Sequence, residues 1–210
     1  TLPSIDFSRH ARTYVKLRVA HGIASVAILL VFLAPHLFNH LFGVLGSDAH
    51  RAVMEVLRGV YRNGWLEPII IVTFFFQILS GLVLIRPRTQ QRADLLDALQ
   101  TASGAYLALF IASHINSVFT LARYFGTDTD YAWAVADPVG LLADAWSIRL
   151  VPHYSLAVFL LIAHLACGLR GVLRNHGVSE TRCATLTWTV IGIGALVTLV
   201  ITAGMLGVRV

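Results

Sequence analysis

Two histidines, an asparagine and a proline interrupt the first long apolar run, Phe32-Leu-Ala-Pro35-His36-Leu-Phe-Asn39-His40-Leu-Phe42. A second interruption, Ile111-Ala-Ser-His114-Ile-Asn116, and a third, Leu161-Ile-Ala-His164-Leu-Ala-Cys167-Gly168, lie further along the chain. Ionisable groups within apolar segments are expensive, which makes them candidates for function by default. Two neutral imidazoles facing one another can supply both axial bonds to a haem iron, the chemistry that these positions suit best. A zinc site needs about four His, Cys or carboxylate ligands at one level, and His36 and His114, with His40 one turn beyond, do not make that set. Met54 and Met205 sit toward the ends of their segments, away from a Met/His arrangement. The two cysteines, Cys167 and Cys183, form no disulfide framework and no Cys-x-x-Cys-His attachment, so haem would be held without a covalent bond. The alternative for His36 and His114 is a hydrogen bond between helices, and the same alternative stands for His164. His10, His21, His50, His153 and His176 fall near the ends of segments and read as surface histidines.

The elements that must position these groups are transmembrane helices. The chain is 57% hydrophobic and 13% charged, with a mean hydropathy of +0.73, far from a soluble average. Five apolar runs, near 18–45, 66–85, 99–124, 150–173 and 184–207, approach or exceed the roughly 20 residues that span a bilayer. They are long and rich in Leu and Ala and lack the alternation of a membrane barrel. The expected fold is an all-α bundle of five transmembrane helices forming one domain over 1–210. The first run is too long for a cleaved secretory signal and is expected to be retained.

The net charge of +5 is spread as topology rather than as a nucleic-acid patch. Arg9, Arg12, Lys16 and Arg18 precede the first run, Arg86, Arg88 and Arg92 follow the second, and Arg170, Arg174 and Arg182 separate the fourth from the fifth. All flank one side, leaving Arg51, Arg58, Arg62, Arg123, Arg149 and Arg209 for the other. The positive-inside rule then puts the N-terminus in the cytoplasm and the C-terminus outside. Residues 1–16 read as an interfacial lead-in or a docking strip for a cytoplasmic partner.

On the outer side, Ser47–Asn63 carries Val53, Val56, Leu57 and Val60 at helical spacing, which predicts a short helix on the membrane surface. The loop 126–149, with Trp133 and Trp146, predicts a second interfacial helix. Pro35 is expected to bend helix one just before His36. Gly192 and Gly194 suggest close packing of helix five. At about 1.5 Å per residue, His36 and His114 lie roughly 25 and 22 Å from the inner edge, near one level. His164 and Gln77 lie roughly 20 and 16 Å below the outer edge, at a deeper level.

The blocks Arg18-Val-Ala-His21, Pro35-His36-Leu-Phe-Asn39-His40, Ala112-Ser-His114 and Ile162-Ala-His164-Leu-Ala-Cys-Gly168 occur in an order and at depths that resemble one family. It is the five-helix, two-haem cytochrome b membrane anchor of succinate:quinone and quinol:fumarate oxidoreductases. The resemblance implies that His36 and His114 bind an outer haem b and that His164 belongs to an inner one. Gln77 stands where the family has the second inner histidine. The inner site is therefore expected to be empty, high-spin with one histidine, or completed by His21. The resemblance also implies a quinone substrate near the outer haem. Glu67, the acidic residue beside Pro68, would take its proton, and His40 and Asn39 would bond its carbonyl. Expected partners are the lipid bilayer, a flavoprotein and an iron–sulfur subunit, with a second copy of the chain as a further possibility, in a bacterial cytoplasmic membrane. Such a subunit carries electrons and is no enzyme by itself. A stand-alone haem-binding membrane protein without succinate or fumarate chemistry, and a haem-free structural bundle, are the alternatives.

Overall fold

The computed structural model describes residues 7–88 and 94–210, and these are all-α. The expectations for residues 1–6 and for Arg92 lie outside that range, as does anything concerning the side chain of His10. Among the described residues, five helical stretches are long and apolar enough to cross a bilayer: Arg12–Leu45, Leu66–Ile85, Leu95–Tyr124, Ser147–Asn175 and Glu180–Met205. Ile23, Leu30, Val72, Leu79, Leu109 and Leu199 point outward and are each more than 60% exposed. Water would penalise such a surface, whereas lipid tails accept it.

The first stretch is built from four pieces: α1 (Phe7–Ile28), a π turn (Leu29–Leu33), α2 (Ala34–Leu41) and a 3-10 turn (Phe42–Leu45). The π turn immediately precedes Pro35, where the sequence predicts a bend. Pro35 has no N–H, and its ring crowds the carbonyl of Val31. The wide turn, in which Ala34 N–H reaches back to Leu29 O, absorbs the misfit. It also redirects the chain, since α1 packs against α4 (Leu66–Arg88) while α2 reaches α8 (Glu180–Met205). From α4 the bundle continues through α5 (Leu95–Tyr124) and α7 (Leu150–Asn175) to α8, so neighbouring helices close a ring at the α2 end. Closure is tight there: a Cβ on Gly204 would come within 2.8 Å of Val44 N. Gly194 is likewise pressed against Ile162, but Gly192 faces open space, so only one of the two glycines expected to pack does so.

The helix expected over Ser47–Asn63 is α3 (Ser47–Tyr61). The second interfacial helix is not formed. The 126–149 loop holds only the single turn α6 (Tyr131–Ala134), capped by Asp130 Oδ1 on Trp133 N–H, and a 3-10 turn (Ser147–Arg149). Its apolar residues Tyr131, Val135 and Leu141 are buried against Ile201 and Met205 of α8, so the loop plugs the bundle instead of lying flat on a membrane. Trp146 does remain exposed.

At the opposite end Arg170 proves to be no loop cation. It is 5% exposed within α7, where it binds Asp94 and Glu180 and lies 3.6 Å from Asp97. One guanidinium thereby ties α5, α7 and α8 together. The fork geometry of arginine suits several carboxylates at once.

Candidate functional site

His36 and His114 each stack on an aromatic ring about one helical turn earlier. Phe32 stacks on His36 at 5.1 Å and 15°, and Phe110 stacks on His114 at 5.4 Å and 11°. Residues about one turn apart share a helix face, and all four side chains line one cavity. The His36 and His114 ring centroids are 6.3 Å apart across the gap between α2 and α5. The equal depth expected of His36 and His114 therefore becomes direct proximity. Metal–imidazole bonds of about 2.0–2.1 Å on either side of one ion would put two ring centroids about 6 Å apart. The 6.3 Å separation leaves room for one ion between the rings, and His36 and His114 are the residues that would hold it.

His40 joins the same group, with its Nε2 3.3 Å from His36 Nε2 and its ring 5.2 Å from that of His50. His50 is the largest departure from the sequence reading. It is 3% exposed, not a surface residue, and stacks on Tyr131 at 4.3 Å. It follows the inward stripe His50, Met54, Leu57 and Tyr61 of α3, whereas Val56 and Val60 face outward. The amide Nδ2 of buried Asn39 can only donate, so it donates to His50 Nε2 at 3.2 Å and the neutral ring carries its proton on Nδ1. Burial pulls the His50 pKa down to about 4, and it pushes that of Tyr131 up to about 12. Both groups are neutral at physiological pH. His153 is also partly covered, its ring 4.8 Å from Phe110 and its backbone carbonyl accepting from Tyr106 OH at 2.9 Å.

These groups line one cavity of about 310 Å³, within the range of small-molecule sites. Its walls are mainly apolar, with Phe32, Leu37, Leu57, Phe74, Leu107 and Ile111 among them. Five buried polar atoms of its lining residues have no hydrogen-bond partner: Asn39 Oδ1, His50 Nδ1, Tyr61 OH, Thr129 Oγ1 and Tyr131 OH. Leaving such an atom unpaired costs about 1–3 kcal/mol. Glu67 also lines the cavity, but both its oxygens accept from Arg123, at 2.8 and 2.9 Å, an ion pair between α4 and α5 that sequence reading missed.

Gln77, His21 and His164 form a different arrangement. Gln77 is engaged at both ends of its amide, donating to His21 O at 3.0 Å and accepting from Ser25 Oγ at 3.1 Å. His21 Nδ1 lies 2.7 Å from Ser80 Oγ. Across the bundle, His164 Nδ1 lies 3.0 Å from Gln100 O and 3.2 Å from Ser103 Oγ. Its ring rests on Gly104, where a Cβ would come within 2.9 Å. Gln77 thus joins α4 to α1 and His164 joins α7 to α5, so the two do not form a ligand pair. Such a layout does not fit an ion held between Gln77 and His164. Among the described residues, no three His, Cys, Asp or Glu side chains gather as a metal-ion site requires.

No protein-family model, curated protein or solved structure matches this chain.

Proposed function

We propose that this chain is a membrane-anchoring cytochrome b, passing electrons between a cytoplasmic flavoprotein and iron–sulfur partner and quinone in the bilayer, as in succinate dehydrogenases and fumarate reductases. The observation that carries the reading is the facing of His36 and His114 at 6.3 Å inside an apolar cavity. Haem b supplies one-electron carriage when bound. His36 and His114 would hold its iron, and Phe32 and Phe110, stacked on them, would keep the two imidazoles in place. The apolar walls exclude water and favour a flat hydrophobic group. The quinone lies beside this site on the outer side. Glu67 takes a proton from its reduced form, and His40 and Asn39 offer bonds to its oxygens.

The inner pair is reduced in this chain to His164, with Gln77 committed to helix packing, so one haem is proposed. A reduced-minus-oxidised spectrum of purified protein tests the assignment. Wild type gives a low-spin b-type spectrum, and His36→Ala and His114→Ala each lose it. An unchanged spectrum in both variants sinks the proposal. A stand-alone haem protein without soluble partners shares these ligands and differs by failing to co-purify with flavin and iron–sulfur subunits.

A further inference from the structure

We propose that two copies of this chain associate within the bilayer through the exposed face of α5 that carries Ala105, Ala112, Ser113 and Asn116, with the two Asn116 carboxamides bonded to each other. This face is distinct from the cavity of His36 and His114, and the inference stands whether or not haem binds there. Asn116 follows His114 by two residues, about 200° around the helix, so it looks away from the bundle interior and is exposed. Its level is fixed by a groove that it shares with Ile71, Phe75 and Ile78 of α4. These three come from the middle of α4, which has no charged residue between Glu67 and Arg86, so Asn116 lies at the depth of the lipid tails. Its Oδ1 accepts from Thr120 Oγ1 at 3.1 Å, but its Nδ2 donates to none of the described residues. An amide donor left among hydrocarbon tails is costly, and a hydrogen bond to a second helix relieves it.

An asparagine carboxamide both donates and accepts, so it is its own complement. Copies inserted in the same orientation are related by a two-fold axis along the bilayer normal, which brings each residue of the face to the depth of its counterpart. Asn116 of each copy then offers Nδ2 to Oδ1 of the other, and the acceptor missing in one chain is supplied by the identical group of the next. Small neighbours permit the approach. Ala105, Ala112 and Ser113 are exposed on the same face, and side chains of this size let helix backbones come close. The Ser113 hydroxyl already donates to Phe110 O at 2.9 Å, so it adds no polar cost to the contact. A helix of another protein would need both a donor and an acceptor at this one level, and a lipid tail has neither.

Donor- and acceptor-labelled copies of the chain, reconstituted in phosphatidylcholine vesicles, report association by energy transfer as the lipid-to-protein ratio is varied. Wild type is expected to show transfer above that of randomly placed labels, and Asn116→Leu to weaken association about tenfold. Asn116→Gln keeps both amide groups and should stay close to wild type. Unchanged thermal unfolding of Asn116→Leu separates lost association from lost folding. Ser113→Cys is expected to give a disulfide-linked dimer on oxidation in the vesicles, against a background in which Cys167 and Cys183 are buried. Leu199→Cys, on the exposed side of α8, should not. Wild type that shows only random transfer overturns the proposal and leaves this face to another helix or to lipid. Transfer in Asn116→Leu equal to that of wild type, or crosslinking of Leu199→Cys as ready as that of Ser113→Cys, overturns it as well.

Discussion

Glu67 lines the same cavity as His36 and His114 while both its oxygens are bound by Arg123. The two roles, proton acceptor and interhelical ion pair, separate experimentally because Arg123 can be removed alone. Glu67→Gln is expected to keep the low-spin spectrum and to slow haem reduction by a quinol analogue about 10²-fold. Arg123→Gln breaks the same ion pair but keeps the carboxylate, and should retain most of the rate. If Glu67→Gln is reduced at the wild-type rate, the residue serves packing alone. At this scale the chain was partly legible. A phenylalanine four residues before each of His36 and His114 is visible in sequence, as is the stripe His50, Met54, Leu57 and Tyr61. That Glu67 meets Arg123, 56 positions away, is not, because pairing over that distance depends on how α4 and α5 are rotated against one another.

Among the elements, the Arg170 junction of α5, α7 and α8 offers the clearest stability test. Removing one partner of a buried ion pair costs about 3–5 kcal/mol. Here the partner carboxylates of Asp94 and Glu180 are about half exposed, so Arg170→Ala should fall at or below the lower end of that range. Thermal unfolding in detergent measures it. Hydrogen bonds from Arg170, then from the backbone of Asp97, lower the Asp94 pKa from 3.8 to about 2. A depressed folded-state value means that the contribution is present in full above the unfolded value and is lost as pH falls through the folded one. Stability is therefore expected to be flat with respect to this group above about pH 5 and to decline between about pH 4 and 2. Arg170→Ala should flatten that decline, and an unaltered acid profile in the variant would remove Asp94 as its source. The same scale explains why the loop 126–149 was misread. Its tryptophans suggested a membrane surface, but Tyr131, Val135 and Leu141 gain more by filling the mouth of the bundle.

For the whole molecule, the cation asymmetry predicts a cytoplasmic N-terminus and an outer C-terminus. Reporter fusions at the two termini should be active on opposite sides, and signals on one side would mean an even number of crossings. Iron and haem quantification should give about one haem per chain, because Gln77 spends both ends of its amide on α1. A value near two, both low-spin, would require a further ligand, with His21 the first to mutate.

Composition and apolar run length were enough to determine an all-α chain with five segments of membrane-spanning length, since a bilayer demands about 20 apolar residues per helix whatever surrounds them. Spacing within helices was also enough to find the polar interruptions at His36, His114 and His164. Only the tertiary structure decided which of them meet. It brought His50 and Tyr131 from segments outside the spans into the cavity, set Gln77 against His21, and buried Arg170 among carboxylates of two other segments. The physical reason is that one-dimensional periodicity fixes the face and depth of a side chain along its own helix. The neighbour that it meets depends on the rotation and crossing of separate helices, which only close contacts such as that at Gly204 restrict.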